Sequence, residues 1–247
     1  MSFINTKVSS GVLTITIDRL AQKNALSLDM YKDLTTALLS AEKDEEIKVA
    51  VIEGDSSCFT AGNDLNDFLA GGSLTEAHPT VIFLRTLVSF SKPLIASVAG
   101  PAIGIGTTLL MHCDLVYAAN NAVFQLPFSK LGLCPEAASS SILPKLAGRV
   151  KAFELLVLGN KFDAQEAVQI GLINEVVEIK ELNDKVTAVA TQLAQLPTMS
   201  VRASKGLIVD AQKETINAVI SHELKYFEQL LGSDECKAII SSFFKKG

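Results

Sequence analysis

The sequence predicts an α/β fold that is followed by a helical C-terminal region. Apolar, β-branched runs alternate with helical patterns over the first half of the chain, as in α/β proteins. Two of these runs, residues 94–98 and 115–118, are continuously apolar, which is typical of strands covered on both faces. From residue 184 onward the pattern is helical only. We therefore predict an α/β core over residues 1–183 and a helical region over residues 184–247.

The first predicted elements are a strand, a helix and a second strand. Residues 12–17 alternate apolar and polar side chains with period two, which indicates a half-buried strand. Ser27 is a suitable N-cap for a helix whose apolar residues recur at helical spacing up to the charged run 43–46. The short β-branched run at residues 48–53 predicts the next strand.

The later elements become increasingly helical. We expect a helix over residues 79–90, and beyond residue 147 the main β-branched stretch is at residues 173–179. The C-terminal helical region is interrupted near Pro197 and Gly232. Its apolar residues are too numerous for a solvated tail, so we expect it to pack on the core or on another subunit.

The charge pattern argues against nucleic acid and membranes as partners. The formal net charge is −5 with both signs interspersed, so no basic face is evident. Residues 93–111 carry no charge and have the length of a membrane span, but prolines and glycines interrupt them. A buried strand, a glycine turn and the start of a buried helix fit this segment better than one continuous helix.

The cysteines indicate a reduced compartment. Cys58, Cys113, Cys134 and Cys236 have neither paired spacing nor the spacing of a metal site. The N-terminus also lacks the pattern of a signal peptide. We therefore expect a cytoplasmic protein.

Two turns made of small residues could together form an oxyanion hole. Residues 61–63 and 104–106 each follow an apolar run, and glycine permits positive φ and close approach of a ligand to the backbone. Each turn could direct a backbone N–H group at one carbonyl oxygen and so stabilise an enolate or a tetrahedral oxyanion. Singly, each would be an ordinary strand-to-helix turn. As a pair, they favour a site at the carboxyl ends of strands.

Glu136 is a candidate acid or base. It lies among small, uncharged residues, where desolvation would raise its pKa and suit it to moving protons near neutral pH. The alternative is a catalytically silent glutamate in the first turn of a helix, after a proline that begins it. The pattern alone favours neither interpretation.

Other chemistries find little support in the sequence. His78, His112 and His222 have neither the spacing of metal ligands nor a partnered nucleophile. We therefore expect no metal site, and hydrolase chemistry that uses serine or cysteine is disfavoured. The turn at residues 104–106 lacks the third glycine of a dinucleotide-binding fingerprint.

Several segments, in order along the chain, resemble the crotonase superfamily, also called the enoyl-CoA hydratase/isomerase family. They are residues 19–26, 59–65, 99–114 and 159–177, and residues 233–235 together with 244–246. Leu20 stands where the family usually has proline. The resemblance covers nearly the whole chain. It implies a spiral of strand-strand-helix repeats with a C-terminal helical trimerisation region, and a homotrimer or a dimer of trimers.

The same resemblance implies roles for individual residues. The backbone N–H groups of Asn63 and Ile105 would hold the thioester oxygen of an acyl-CoA. The residues expected to contact the substrate are Asn24, Ala25, Ala61, Gly62, Asp64, Leu65, Gly104, Phe128 and Lys245. Lys92, Lys130 and Lys246 are further candidates for the CoA phosphates, and solvated surface lysines are the alternative.

Departures from the family pattern point to one reaction. Hydratases of this family use two glutamates, and Thr108 and Phe128 stand at those positions here, so the acid and base that hydration needs are missing. Residues 127–136 resemble the segment that carries the single catalytic glutamate of peroxisomal-type Δ3,Δ2-enoyl-CoA isomerases, which makes Glu136 the base.

The resemblance therefore implies an enoyl-CoA isomerase whose only cofactor is the CoA of its substrate. The alternatives are another acyl-CoA reaction such as hydration, and a non-catalytic acyl-CoA-binding protein.

Overall fold

The computed structural model describes residues 2–70 and 72–244, and its largest sheet is mostly parallel. The strands are β1 (Ile4–Ser9), β2 (Val12–Ile17), β3 (Val49–Glu53), β4 (Leu94–Val98), β5 (Pro101–Ile103), β6 (Leu115–Ala119), β7 (Val123–Gln125), β8 (Lys161–Asp163) and β9 (Glu175–Val177). Six of them form this sheet in the order β1-β2-β3-β4-β6-β9, in which β1 runs antiparallel to β2 and the other pairs are parallel.

Helices connect these strands and make up the C-terminal region. They are α1 (Leu28–Lys43), α2 (Leu65–Ala70), α3 (Pro79–Ser89), α4 (Ile105–Thr108), α5 (Ser139–Phe153), α6 (Ala164–Gln169), α7 (Leu182–Gln195), α8 (Thr198–Leu231) and α9 (Asp234–Phe244). The mixed α/β class predicted from the sequence is confirmed by this order of elements.

The central strands β3, β4 and β6 of the main sheet are buried on both faces, which explains their continuously apolar sequences. Alternate residues of β3 illustrate this: Ala50 and Ile52 face the core that includes α1 and α3, whereas Val49 and Val51 face α7. Side chains alternate between the two faces of a strand, so a strand that is covered on both faces has apolar side chains at successive positions.

Most of the predicted boundaries are confirmed. The Ser27 side chain accepts a hydrogen bond from the Met30 N–H group and caps α1. Pro197 and Gly232 bound α8, and the uncharged segment 93–111 contains β4, β5 and α4. None of the helices in the two described ranges is long and apolar enough to cross a bilayer.

Four strands were not predicted, because their sequence signal is weak. In β1 only Ile4 is buried, so the strand lacks an alternating apolar pattern. The other three, β5, β7 and β8, are each three residues long and form a second sheet in that order. This small sheet matters for the site because β5 leads directly into α4.

The helices after residue 183 pack on several parts of the core. α7 begins at Leu182 and buries Leu182, Val186 and Ala190 against the sheet. α8 contacts α3 and α5, and α9 contacts α2 and α8. The division of the chain at residue 183, and a role of residues 184–247 in oligomerisation, stay predictions.

Candidate active site

A cavity of about 400 Å³ lies where the two glycine turns meet. The turns contribute Ala61, Gly62, Asn63, Gly104 and Ile105 to its wall. Much of the remaining wall is apolar and includes Leu65, Phe128, Leu131, Leu133 and Phe227. The two turns singled out in the sequence therefore open into one shared space.

Short parallel bridges bring the turns side by side. Thr60 pairs with Ala102 of β5, and Leu26 pairs with Asn63. In the first bridge the Thr60 N–H group donates to Pro101 O at 3.0 Å. The first turn is thus held between the segment before α1 and the second sheet.

Two of the glycines are required by this close approach. A Cβ atom on Gly106 would lie 2.6 Å from Cγ2 of Thr60, far inside van der Waals contact. Gly62 has a φ of +95°, and a Cβ atom there would lie 2.8 Å from the Ile103 carbonyl oxygen. Any larger residue at either position would push the turns apart.

Asn63 and Ile105 each present a backbone N–H group that has no acceptor among residues 2–70 and 72–244. In the bridge beside Asn63, the Leu26 N–H group donates to Gly62 O and the Asp64 N–H group donates to Leu26 O, so the intervening Asn63 N–H group is left over. Ile105 is the first residue of α4, where an N–H group has no helical acceptor. Both residues line the same cavity, as an oxyanion hole requires.

Tyr31 of α1 fixes the side chain of Asn63. Its hydroxyl group donates to Asn63 Oδ1, and its ring packs against Phe83 with the ring centroids 5.4 Å apart. Burial raises the pKa of Tyr31, and the charges of Glu136 and Asp67 raise it further. The phenol therefore remains a hydrogen-bond donor at neutral pH.

Glu136 is buried next to α4. It lies in the loop before α5, and the Thr108 hydroxyl group donates to Glu136 Oε1 at 2.5 Å. Burial raises the pKa of Glu136 to about 8; the Thr108 hydrogen bond opposes this rise and the charge of Glu223 adds to it. This is the direction expected from the sequence. Glu136 does not itself form part of the cavity wall, but Thr108 belongs to the same short helix as Ile105.

The structure separates the other predicted contact residues into two groups. Ala61, Gly62, Leu65, Gly104 and Phe128 line the cavity. Asn24, Ala25 and Asp64 do not, and their polar groups are engaged internally.

Asn24 and Asp64 show this engagement most clearly. The Asn24 side chain donates to Cys58 O at 2.8 Å and accepts from the Arg19 N–H group at 2.7 Å. Asp64 forms an ion pair with Arg19 at 2.7 Å. Burial acts to raise the pKa of Asp64, but hydrogen bonds from Arg19 and Asn66 hold it below its usual value. Both residues hold the loops that carry the first turn, and any contact of theirs with substrate stays a prediction.

The candidate lysines have different surroundings. Lys130 lies at the cavity wall, where its Nζ donates to Gly159 O at 2.8 Å. Lys92 is buried and donates to Ala41 O at 2.5 Å and to Asp44 O at 2.6 Å, at the C-terminal end of α1. Lys92 is thus not a solvated surface lysine, and its ammonium group already donates to two carbonyl groups. Lys245 and Lys246 lie outside the described residues.

Sequence reasoning missed the contributions of Tyr31 and of α8. The hydrogen bond between Tyr31 and Asn63 joins residues 32 positions apart and has no sequence signature. A signal did exist for α8, whose buried residues follow helical spacing; they are Ile216, Ile220, Glu223, Phe227 and Leu231. A glutamate in such an apolar stripe indicates a buried carboxyl group with a specific partner.

Within the described ranges, no cluster of three or more histidine, cysteine or acidic side chains is arranged to hold a metal ion. The polar groups at the two turns and next to α4 include the two backbone N–H groups, the Glu136 carboxyl group and the hydroxyl groups of Thr108 and Tyr31, while Gln125 and Lys130 lie elsewhere on the cavity wall. This set can stabilise a developing oxyanion and move a proton.

Comparison with known proteins identifies the family. Residues 7–247 match the family model described as enoyl-CoA hydratase/isomerase. The rat protein named enoyl-CoA delta isomerase 2 is 40% identical over 239 residues, which are 94% of this chain and 61% of the rat protein. Escherichia coli 1,2-epoxyphenylacetyl-CoA isomerase is 34% identical, and the match covers 100% of this chain and 97% of the E. coli protein.

A solved structure shows the same fold. Pseudomonas aeruginosa OdaA matches with a TM-score of 0.96 and 40% identity over 98% of this chain and 99% of the other. This chain spans about three-fifths of the rat relative and of its human counterpart, 61% of each. The family model and these relatives bear out the resemblance read from the sequence: the chain belongs to the enoyl-CoA hydratase/isomerase family.

Proposed function

We propose that this chain is an enoyl-CoA isomerase that moves a double bond from C3 to C2 of a fatty enoyl-CoA. The observation that carries the proposal is that two N–H groups without an acceptor among the described residues, those of Asn63 and Ile105, face one cavity, while one buried carboxyl group, that of Glu136, is hydrogen-bonded to the short helix that begins at Ile105. The name of the rat relative supports the same reaction class.

The two N–H groups would bind the thioester oxygen. Removal of a proton from C2 places negative charge on this oxygen in the dienolate, and donors that are already oriented stabilise that charge without reorganisation. Loss of one such donor costs about 3 kcal/mol of transition-state stabilisation in other enzymes. Asn63 and Ile105 are held by the bridge to Leu26 and by the start of α4, so their N–H groups are preorganised.

Glu136 would move the proton. Its carboxylate takes a proton from C2, the electron pair of that C–H bond enters the dienolate, and the carboxylic acid then returns a proton to C4. The double bond between C3 and C4 becomes one between C2 and C3, and no atom is gained or lost. A pKa of about 8 suits a group that must both accept and return a proton near neutral pH.

Hydration fits the site less well. It requires groups that activate and orient a water molecule, and the two positions at which family hydratases carry glutamates hold Thr108 and Phe128. The Thr108 hydroxyl group is committed to Glu136, and Phe128 presents an apolar ring to the cavity. We therefore place hydration second, ahead of a non-catalytic acyl-CoA-binding role.

Further parts of the proposal concern binding and assembly. Lys130 at the cavity wall, and Lys245 from the C-terminal residues, are candidates to meet the CoA moiety, and no cofactor beyond CoA is required. A homotrimer or a dimer of trimers would cover exposed apolar side chains on α5 and α8. These side chains include Val150, Phe153, Met199, Leu207 and Ile208.

The proposal also includes a place in fatty acid β-oxidation and a cytoplasmic location. All four cysteines are free, as suits a reducing compartment.

The variant Glu136→Gln tests the proposed base. We expect the conversion of 3-hexenoyl-CoA to 2-hexenoyl-CoA to fall by about 10²- to 10⁴-fold, the contribution of a positioned base, while hexanoyl-CoA binding measured by calorimetry is retained. Glu214→Gln, at an exposed position of α8, makes the same substitution away from the site and should leave activity intact.

A Glu136→Gln variant that keeps most of its isomerase activity would refute the assignment of the base. Formation of 3-hydroxyhexanoyl-CoA from 2-hexenoyl-CoA, at a rate matching isomerisation, would instead favour a hydratase. Hexanoyl-CoA binding without turnover of either substrate would favour a binding protein.

A further inference from the structure

The turn that follows Glu136 has an unfavourable backbone conformation. Ala137 has a φ of 57° and Ala138 a φ of 59°, so two consecutive alanines occupy the left-handed region that normally suits glycine. Such conformations persist only where surrounding contacts determine them, and they are concentrated at functional sites. The contacts that hold this turn are therefore expected to be part of the site.

Glu223 of α8 provides most of these contacts. Its Oε2 accepts a hydrogen bond from the Ala138 N–H group at 2.6 Å. Its Oε1 accepts from the Ser140 N–H group at 3.0 Å and from the Ser140 hydroxyl group at 2.5 Å. Glu223 is buried and lies 85 positions from Ala138 in the sequence, so this is a tertiary contact with no local origin.

Other groups hold the same turn from its remaining sides. His112 Nε2 lies 2.7 Å from Ala137 O, and because a carbonyl oxygen only accepts, this nitrogen carries the hydrogen. The Ser139 N–H and hydroxyl groups both donate to Glu136 O, at 3.0 Å and 2.7 Å. The backbone next to the carboxyl group of Glu136 is thus fixed at consecutive residues.

We propose that Glu223 is a positioning residue: by holding the Ala138 and Ser140 backbone, it fixes where the Glu136 carboxyl group lies relative to the substrate. This inference rests on the proposed role of Glu136 as the base. It also gives α8 a function inside the site of its own chain, separate from any role in oligomerisation.

The electrostatic interaction between Glu223 and Glu136 provides a second readout, the pH dependence of kcat, which reports that the two carboxyl groups lie close together. The charge of Glu223 contributes to the raised pKa of Glu136. Burial also raises the pKa of Glu223, against the hydrogen bonds from Ser140 and Ala138 and the charge of His222. Among the described residues, Cys134 also interacts with both carboxyl groups and Tyr31 with Glu136, and His112 packs on the intervening turn through Ala137 O.

A helix cap without influence on catalysis is the alternative, because Ala138 and Ser140 lie at the N-terminal end of α5. Loss of a cap would lower the melting temperature and leave kcat unchanged on the plateau of the pH profile, although removing the Glu223 charge would still move the acidic limb. A positioning residue would change kcat and leave the KM nearly constant, since the N–H groups that bind the thioester are elsewhere.

The experiment compares Glu223→Gln with Glu214→Gln, which makes the same charge change at an exposed position of the same helix. Glutamine at position 223 has one acceptor oxygen instead of two. Its NH2 group would face either the Ala138 or the Ser140 N–H group, which is also a donor, so the turn loosens. For Glu223→Gln we expect kcat on 3-hexenoyl-CoA to fall between about tenfold and about a hundredfold, with KM within about twofold. The acidic limb of the kcat profile should move to lower pH, because a negative charge near Glu136 is removed.

Unchanged kcat on the plateau of the pH profile in folded Glu223→Gln would overturn the proposal and leave a helix cap, whether or not the acidic limb moves. If that variant does not fold, Ser140→Ala decides: it removes one hydrogen bond and keeps the charge, so a smaller fall of kcat without a shift of the limb is expected. Wild-type kcat in Ser140→Ala would then overturn the proposal. Glu136→Gln, assayed in parallel, separates the hypothesis that Glu136 is the base from the hypothesis that Glu223 positions it. Isomerase activity in Glu136→Gln contradicts the first hypothesis independently of the result for Glu223→Gln.

Discussion

The raised pKa of Glu136 predicts that replacing this residue makes the protein more stable in alkaline solution. Glu136→Gln removes a group whose pKa is near 4.5 in the unfolded chain and about 8 in the folded protein. Below pH 4.5 both states are protonated, and the favourable effect of the raised pKa is fully present. As the pH rises from 4.5 to 8 the unfolded state releases its proton first, so the free energy of unfolding of the wild type decreases.

The size of the effect follows from the separation of the two pKa values. They differ by about 3.5 pH units, and each unit corresponds to about 1.4 kcal/mol, so the wild type loses about 5 kcal/mol between pH 4.5 and pH 8. Glutamine does not titrate and is free of this loss. Relative to the wild type, Glu136→Gln should therefore gain about 5 kcal/mol between pH 4.5 and pH 9.

Urea unfolding of both proteins, at one protein concentration and at pH 4.5 and 9, measures this difference. The comparison is between the two pH values, so any constant effect of the substitution on packing cancels. A stability difference that is the same at both pH values, within about 1 kcal/mol, would show that the carboxyl group is not perturbed and would refute the reasoning.

Two further predictions concern the glycine turns and the buried lysine. Gly106→Ala should separate the turns, because its Cβ atom would lie 2.6 Å from Thr60 Cγ2, and kcat is expected to fall about tenfold or more. The control Gly206→Ala, within α8, should keep wild-type kinetics. Equal rates in both variants would contradict the role of the turns. Lys92→Met should cost about 1–3 kcal/mol in a denaturant titration, because the carbonyl groups of Ala41 and Asp44, at the C-terminal end of α1, lose their donor. The KM for enoyl-CoA should be unchanged, and a raised KM would support Lys92 as a CoA contact.

The sequence alone located the elements whose signals are local. Ser27 could be recognised as a cap because capping depends on one side chain and the next turn of the helix. The apolar alternation of β2 and the continuous apolar run of β4 directly reflect burial on one face and on two. The rise in the pKa of Glu136 could be anticipated from its small, uncharged neighbours along the chain.

Other features depend on contacts between distant segments. Nothing near Lys92 in sequence indicates that the end of α1 supplies carbonyl groups to its ammonium group, although a cation is favourable at a helix C-terminus. The turn at Ala137 and Ala138 is likewise set by Glu223, and alanine has no intrinsic preference for positive φ. Only the buried stripe on α8 could have indicated that Glu223 needs a partner.

The contact between Glu223 and the turn after Glu136 also has a consequence for synthesis on the ribosome. The chain is made from the N-terminus, at about 5–20 residues per second, so the strands of the main sheet emerge before α8. Until residue 223 has left the exit tunnel, the alanine turn lacks the acceptor that holds it. A nascent chain with a complete sheet would therefore contain every group of the proposed chemistry and still lack an ordered base, so catalytic competence arises late in translation.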